Sequence, residues 1–415
     1  MSLKLEFVQL ADQEETNMSA LCRRFDISRP TGYKWLRRYR EEGREGLTER
    51  SRRPESSPNK TPPPIAEAIC EVRREHPAWG GRKIRARLRQ QAADGTRSPA
   101  PEEIPAASTC QTIIKRRGLL EDDQLEDNDR RQAPFERFEK EAPNRLWQMD
   151  FKGHFPLTDG ERCHTLTIVD DHSRFAIALQ ACGNEKRKTV KERLTAVFRR
   201  YGLPRRILCD NGLPWGVPAS KRLGRPLYTK LNAWLFRLGI DVVHGRPYHP
   251  ETQGKAERFH RSLQAEVLQQ GSYQSLSECQ TAFDRWRSTY NLERPHEALS
   301  ADNGELSVPS SHYQPSGRPL PGSLPEVTYP EDDRTRIVNK RGQIRFAGRQ
   351  FRIGEAFAGH PVALRPQLSD STETSKEESP PDQKQRASDQ TSDQEWAVYF
   401  CHKKVHVIES KPPNR

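Results

Sequence analysis

The sequence predicts a multidomain chain: tandem α-helical helix-turn-helix units at the N-terminus, an α/β core in the middle and a small β-barrel at the C-terminus. Three observations lead there. Apolar residues recur at helical spacing through about residue 120, fall into a mixed strand and helix succession from about residue 144, and end in short alternating runs beyond residue 332. A length of 415 residues exceeds what one core serves, at about 100 to 200 residues per unit. Two polar stretches, 51–64 and 121–142, punctuate the pattern.

In residues 1–50, Leu3, Phe7, Leu10 and Ala11 share one helical face, Leu21 and Phe25 mark a short second helix, and Trp35, Leu36 and Tyr39 anchor a third. Ser28 is placed to cap the third helix, with Pro30 tolerated in its first turn. Arg29, Thr31, Lys34, Arg37 and Arg38 would then project where a helix-turn-helix meets bases and phosphates in a major groove. The alternative is a basic, solvated helix in a generic three-helix bundle.

Residues 51–64 form a proline-rich, basic linker. A second helix-turn-helix-like unit follows over 65–120: Ile65, Ile69 and Val72 line one helix, Ile84 and Leu88 a second, and a third runs from Ser108 as N-cap to Gly118. With 11 basic against 6 acidic residues in 61–120, it either touches DNA or only spaces the first unit from the core. Residues 121–142 reverse the sign, with 9 acids against 4 bases, as a solvated connector does.

The core, 143–310, reads as strands 146–152, 163–169 and 174–181, helix 189–201, strand 206–210, helix 228–238, strand 241–244 and helix 254–270, a sheet covered on both faces. Three carboxylates occupy its junctions. Asp150 closes the apolar run Leu146 to Met149; Asp210 ends a strand just before the Asn211-Gly212 turn; Glu257 flanks the helical stripe Ala256, Phe259, Leu263 and Val267. Taken singly each acid is readily a solvated loop or helix-start carboxylate. As a set of two Asp and one Glu from separate elements they suit a pair of Mg²⁺ or Mn²⁺ ions, about 3.5 to 4 Å apart, which activate a hydroxyl and stabilise the leaving oxygen of an in-line displacement at phosphorus. Asp170 and Asp171 fall in a hairpin turn and read as solvated or capping acids. Cys209 reads as a buried strand cysteine more readily than as a nucleophile.

A formal charge of +12, from 69 Lys plus Arg and 57 Asp plus Glu, calls for a polyanionic partner. No stretch reaches the roughly 18 apolar residues of a spanning helix, and the first residues lack the apolar centre of a signal peptide. Eight cysteines scattered without zinc spacing suit reduced thiols, so a cytosolic protein without membrane attachment is expected.

Trp147-Gln148-Met149-Asp150, Val169 to Arg174, Cys209-Asp210-Asn211-Gly212 and Arg246 to Arg258 together resemble the integrase-core DDE transposases of bacterial insertion sequences, over about residues 140–300; Tyr290 to Leu299 is similar to the stretch that follows the catalytic helix there. The resemblance implies a ribonuclease-H-like core and catalytic, metal-binding roles for Asp150, Asp210 and Glu257. It also implies two divalent ions, action on the double-stranded ends of a mobile element and on target DNA, a homo-oligomer of at least two chains, and residence in a bacterial cytoplasm at the nucleoid. Lys255, Arg258 and Arg261 would offer cations to the strand, while His260 either assists or lies on the helix surface. Asp210 and Glu257 are 47 positions apart, more than in compact relatives such as retroviral integrases. The excess falls in a loop where Trp215 either stacks on an unpaired base or tucks against the sheet. Rival readings are a catalytically silent DNA-binding regulator and a ribonuclease-H-like nuclease that does not join.

Beyond the core, residues 332–412 carry alternating runs that suggest the small barrel, interrupted by 367–394, where 7 acids and 3 bases with few apolar residues predict disorder. The barrel resembles the small β-domain of related transposases.

Overall fold

The computed structural model describes residues 3–13, 16–49, 60–96, 100–120, 140–210, 212–216, 228–244, 254–269, 271–301, 303–367 and 394–410. Arg50, the linker's residues 51–59, most of the acidic connector, the motif residues 246–253 and the expected disordered stretch 368–393 lie outside these. The chain divides into two compact units, Met1–Thr61 and Pro62–Arg415.

The first unit holds α1 (Leu3–Ala11), α2 (Met18–Arg24) and α3 (Arg29–Glu42). Phe7, fully buried, meets the edges of Phe25 and Trp35 at centroid distances of 5.4 and 5.7 Å. Ser28 caps α3, its hydroxyl accepting from the Thr31 amide, and Pro30 sits in the first turn, as the sequence predicts.

The second unit begins with α4 (Pro63–Glu75), α5 (Gly81–Ala93) and α6 (Ala107–Arg116) around Ile69, Val72, Trp79, Ile84 and Ile114. Ser108 is not the N-cap of α6; Ala106 takes that position and Ser108 lies within the first turn. Helix α5 rests on the core rather than standing clear of it. Arg82 pairs with Glu297 at 3.3 Å, Arg89 with Glu305 at 2.6 Å, and Arg87 with Glu293. Much of the basic charge on α5 is thus taken up inside the protein.

The core sheet contains β1 (Trp147–Pro156), β2 (Arg162–Asp170), β3 (Ala176–Cys182), β4 (Arg206–Cys209) and β5 (Asp241–His244) in the order β3-β2-β1-β4-β5. β1 runs antiparallel to β2 and parallel to β4. Helices α7 (Arg187–Tyr201) and α8 (Lys230–Arg237) cover one face with Val190, Leu194, Phe198 and Leu235. The other face is covered by α9 (Gly254–Leu263), extended by a π turn over Gln264–Leu268, and by α10 (Leu276–Leu292) with Phe259, Leu263, Phe283 and Trp286. The strand period of two sorts β1: Trp147, Met149 and Phe151 enter the first core, which leaves Gln148, Asp150 and Lys152 on the α9 face.

After a short hairpin of β6 (His296–Ser300) and β7 (Leu306–Ser307), six strands follow: β8 (Arg334–Ile337), β9 (Gln343–Phe346), β10 (Arg349–Arg352), β11 (Pro361–Pro366), β12 (Gln394–Phe400) and β13 (Lys403–Ser410). The expected barrel takes the form of two sheets, one of order β13-β12-β11-β8 and one pairing β9 with β10; among the described residues no ladder closes them. Alternation dictates that strands form, whereas closure depends on which edges meet. Val338, Phe357 and Phe400 join the core cluster against α8. Among the described residues no helix is long and apolar enough to cross a membrane.

Candidate active site

Asp150 lies mid-strand on β1, half-buried, with Asp210 just past the adjacent β4 and Glu257 in the first turn of α9 above them. Burial pushes the Asp150 carboxyl up to about 7; the negative charge of Asp210 adds to this, and those of Glu185 and Glu257 contribute less, against one stabilising amide from Phe151. Asp210 sits in an Asx turn, Oδ1 accepting from the Gly212 amide at 3.0 Å. A Cβ on residue 212 would stand 3.0 Å from Asp210 Oδ2, so a side chain there would crowd the carboxylate. His244 Nδ1 contacts the Asp210 carbonyl at 2.8 Å and steadies the strand end. Asp210 and Glu257 are both exposed, open to solvent and to a phosphate. Among the described residues no three His, Cys, Asp or Glu side chains already converge as a metal-holding group. The three acids are electrostatic neighbours rather than a closed cage.

A second acidic pair fixes the frame. Asp170 and Asp171 are fully buried, so they are not solvated turn acids. Asp170 accepts from the Asn144 amide, the Ser173 amide and the Ser173 hydroxyl at 2.7 to 2.9 Å. Asp171 accepts from the Lys140 amide and Gln148 Nε2, and its Oδ1 pairs with Lys255 Nζ at 2.7 Å. Gln148 Oε1 in turn accepts from the Ala256 amide at 3.2 Å. The effect is to bind the first turn of α9, and with it Glu257, to the strand that carries Asp150.

The predicted DNA-contact residues separate. Arg29, Lys34 and Arg37 are exposed on α3, while Arg38 is half-buried and the Thr31 hydroxyl is engaged with Ser28. Arg258 and Arg261 are exposed on α9. One assignment is overturned, and of the two readings of Trp215 the packed one holds. Lys255 does not point its charge at a strand; its ammonium is committed to buried Asp171. Trp215 is 2% exposed and stacks on Phe151 at 5.6 Å, because a large apolar ring finds more contact under its loop than outside it. His260 is not a surface histidine, since burial and the nearby Lys152 charge push its imidazole down to about 4. Cys209 is buried with its thiol pushed up, as an inert strand cysteine is.

Sequence reasoning missed α10, although Cys279, Phe283, Trp286 and Tyr290 recur at helical spacing behind the Ser275 cap. It also missed Glu266, half-buried in an ion pair with buried Arg294 at 3.0 Å and accepting from Trp286 Nε1, which braces the far end of the α9 segment.

Integrase core domain models match residues 140–250 and 238–302, and a model of the C-terminal domain of IS481 family transposases matches 333–413. A 31.7 kDa uncharacterized protein of insertion element IS407 from Burkholderia multivorans is 26% identical over 161 residues, 38% of this chain and 53% of that protein. One of 39.2 kDa from element IS476 of Xanthomonas euvesicatoria is 29% identical over 160 residues, 38% of this chain and 42% of that protein. Residues 140–302 thus match an integrase core, and residues 333–413 the C-terminal domain of IS481 family transposases. The chain spans about half the length of these curated relatives. Upstream of the integrase core, helix-turn-helix and homeodomain-like models match 3–55 and 31–103. A solved HTLV-2 integrase catalytic core in complex with magnesium is similar over 42% of this chain and 99% of its own, at 17% identity and a TM-score of 0.30.

Proposed function

We propose that the protein binds the double-stranded ends of its own mobile element through its N-terminal helices, then nicks and joins DNA at Asp150, Asp210 and Glu257. One observation carries this: a half-buried carboxyl, Asp150, is held beside two further acids with only one amide to stabilise its charge. An arrangement of that kind is unfavourable alone and favourable around a divalent cation, so the residues present fit Mg²⁺ or Mn²⁺. Bound there, a cation pair would activate the attacking hydroxyl and stabilise the leaving oxygen.

The chain's own residues do the rest. Asp150, Asp210 and Glu257 would hold the cation as carboxylates. The Asp171, Gln148 and Lys255 clamp keeps the α9 turn in register with β1. Arg258 and Arg261 face the solvent side, where they can hold phosphates of the strand being cut. Arg29, Lys34 and Arg37 on α3 supply groove and phosphate contacts at the element end. Joining two ends requires at least two copies of the chain, working in the bacterial cytoplasm on nucleoid DNA.

The test uses duplexes taken from the DNA flanking the gene. With Mg²⁺ the full chain is expected to nick them and join them to a plasmid, and chelation is expected to stop both steps. Asp210→Asn should abolish joining and leave end binding in a gel-shift assay unchanged. Joining retained by that variant defeats the assignment, and nicking without joining assigns a hydrolytic nuclease instead.

A further inference from the structure

His260 is tied into the site by a short chain of hydrogen bonds. Its Nε2 lies 2.8 Å from the Thr167 hydroxyl, which lies 3.0 Å from the Asp150 carbonyl oxygen. A carbonyl can only accept, so the threonine proton points to it, and the hydroxyl oxygen must accept from His260. That assigns the proton to Nε2 and leaves a lone pair on Nδ1. Nδ1 faces Asp150 Oδ2 at 4.0 Å, beyond hydrogen-bond reach. An ion with bonds of about 2.1 Å to oxygen and to imidazole nitrogen spans donors up to roughly 4.2 Å apart. Glu257 and His260 stand three residues apart on α9 and share a helix face, the Glu-x-x-His spacing by which helices present an oxygen and a nitrogen to one metal centre.

We propose that His260 Nδ1 is a nitrogen ligand of the cation held by Asp150, and that this makes the site favour Mn²⁺ over Mg²⁺. The inference rests on the metal site proposed above. Mg²⁺ prefers oxygen donors, whereas imidazole nitrogen favours transition ions. The imidazole is only 12% exposed, and with its proton directed to Thr167 the Nδ1 lone pair is left toward Asp150. Thr167 fixes its tautomer as the hydrogen-bond partner of a ligating histidine does.

The experiment is pulsed electron paramagnetic resonance on the full chain loaded with Mn²⁺, with parallel titrations of Mn²⁺ and Mg²⁺. Wild type is expected to show modulation from a directly bound ¹⁴N. His260→Gln should lose that modulation, still bind Mn²⁺ about tenfold more weakly, and lose most of its preference over Mg²⁺. His260→Asn serves in its place if the glutamine variant does not fold. Modulation that survives the substitution, or is absent from wild type while Asp150→Asn still weakens Mn²⁺ binding, overturns the histidine ligand and leaves the carboxylate site standing. Mn²⁺ bound equally well by wild type and Asp150→Asn overturns both.

Discussion

Two groups of acids on the same sheet have opposite fates. Asp170 and Asp171, fully buried, are saturated: amides, a hydroxyl, a glutamine and a lysine surround them. Asp150 is less buried, yet it receives one amide and the repulsion of Asp210, Glu185 and Glu257. The difference teaches that burial alone does not set how an acid is stabilised. What separates them is how many donors the protein supplies: Asp170, whose carboxyl burial also raises, accepts three hydrogen bonds and Asp171 is paired with Lys255, whereas Asp150 has one amide beside like charges.

Substitutions put that contrast to the test. The largest effect is expected in activity: Glu257→Gln should slow joining about a thousandfold, roughly 4 kcal/mol of transition-state stabilisation, in a single-turnover assay on element-end DNA. In stability the two groups should respond with opposite signs. Asp150→Asn should stabilise the metal-free protein at pH 8, by up to about 4 kcal/mol, since three pH units at about 1.4 kcal/mol each is the upper bound of the strain removed. The sign follows from linkage. With its folded pKa near 7 and its unfolded value near 3.8, the carboxyl binds protons more tightly when folded, so stability falls as pH rises from about 4 to 7. Thermal melts across that range should show the slope in wild type and its loss in the variant. Asp171→Ala should instead cost about 3 kcal/mol, because it removes the carboxylate that pairs with Lys255 and accepts from the Gln148 amide, and melting should fall at every pH. The smallest effect belongs to α5. Arg87→Ala, which removes a partly exposed pair with Glu293, should cost about 1 kcal/mol at low salt and little at 1 M salt.

Much of this site was legible in the residues themselves. Asp150, Asp210 and Glu257 stand out because a strand interior, an Asn-Gly turn and a helix start are local signals, and local signals survive in sequence. Partnerships across the chain do not. Asp171 and Lys255 are 84 positions apart, and neither context shows that one neutralises the other. The same holds for Arg82, Arg87 and Arg89, whose basic character suggested DNA while their partners lie more than two hundred positions downstream. Trp215 was ambiguous between base and sheet because a loop's composition does not say which apolar surface lies beneath it; Phe151 does. Alternation announced the C-terminal strands, but the pairing of β9 with β10 apart from the larger sheet is a matter of edges and register.

The most direct measurement is calorimetric titration of Mg²⁺ and Mn²⁺ into the metal-free full chain at pH 7, in buffers of differing ionisation enthalpy. With its carboxyl raised toward that pH, Asp150 should release protons as the cation binds, and Asp150→Asn should bind more weakly with less release. Equal binding by both proteins, with no proton released by either, would contradict the claim that these acids wait for a cation.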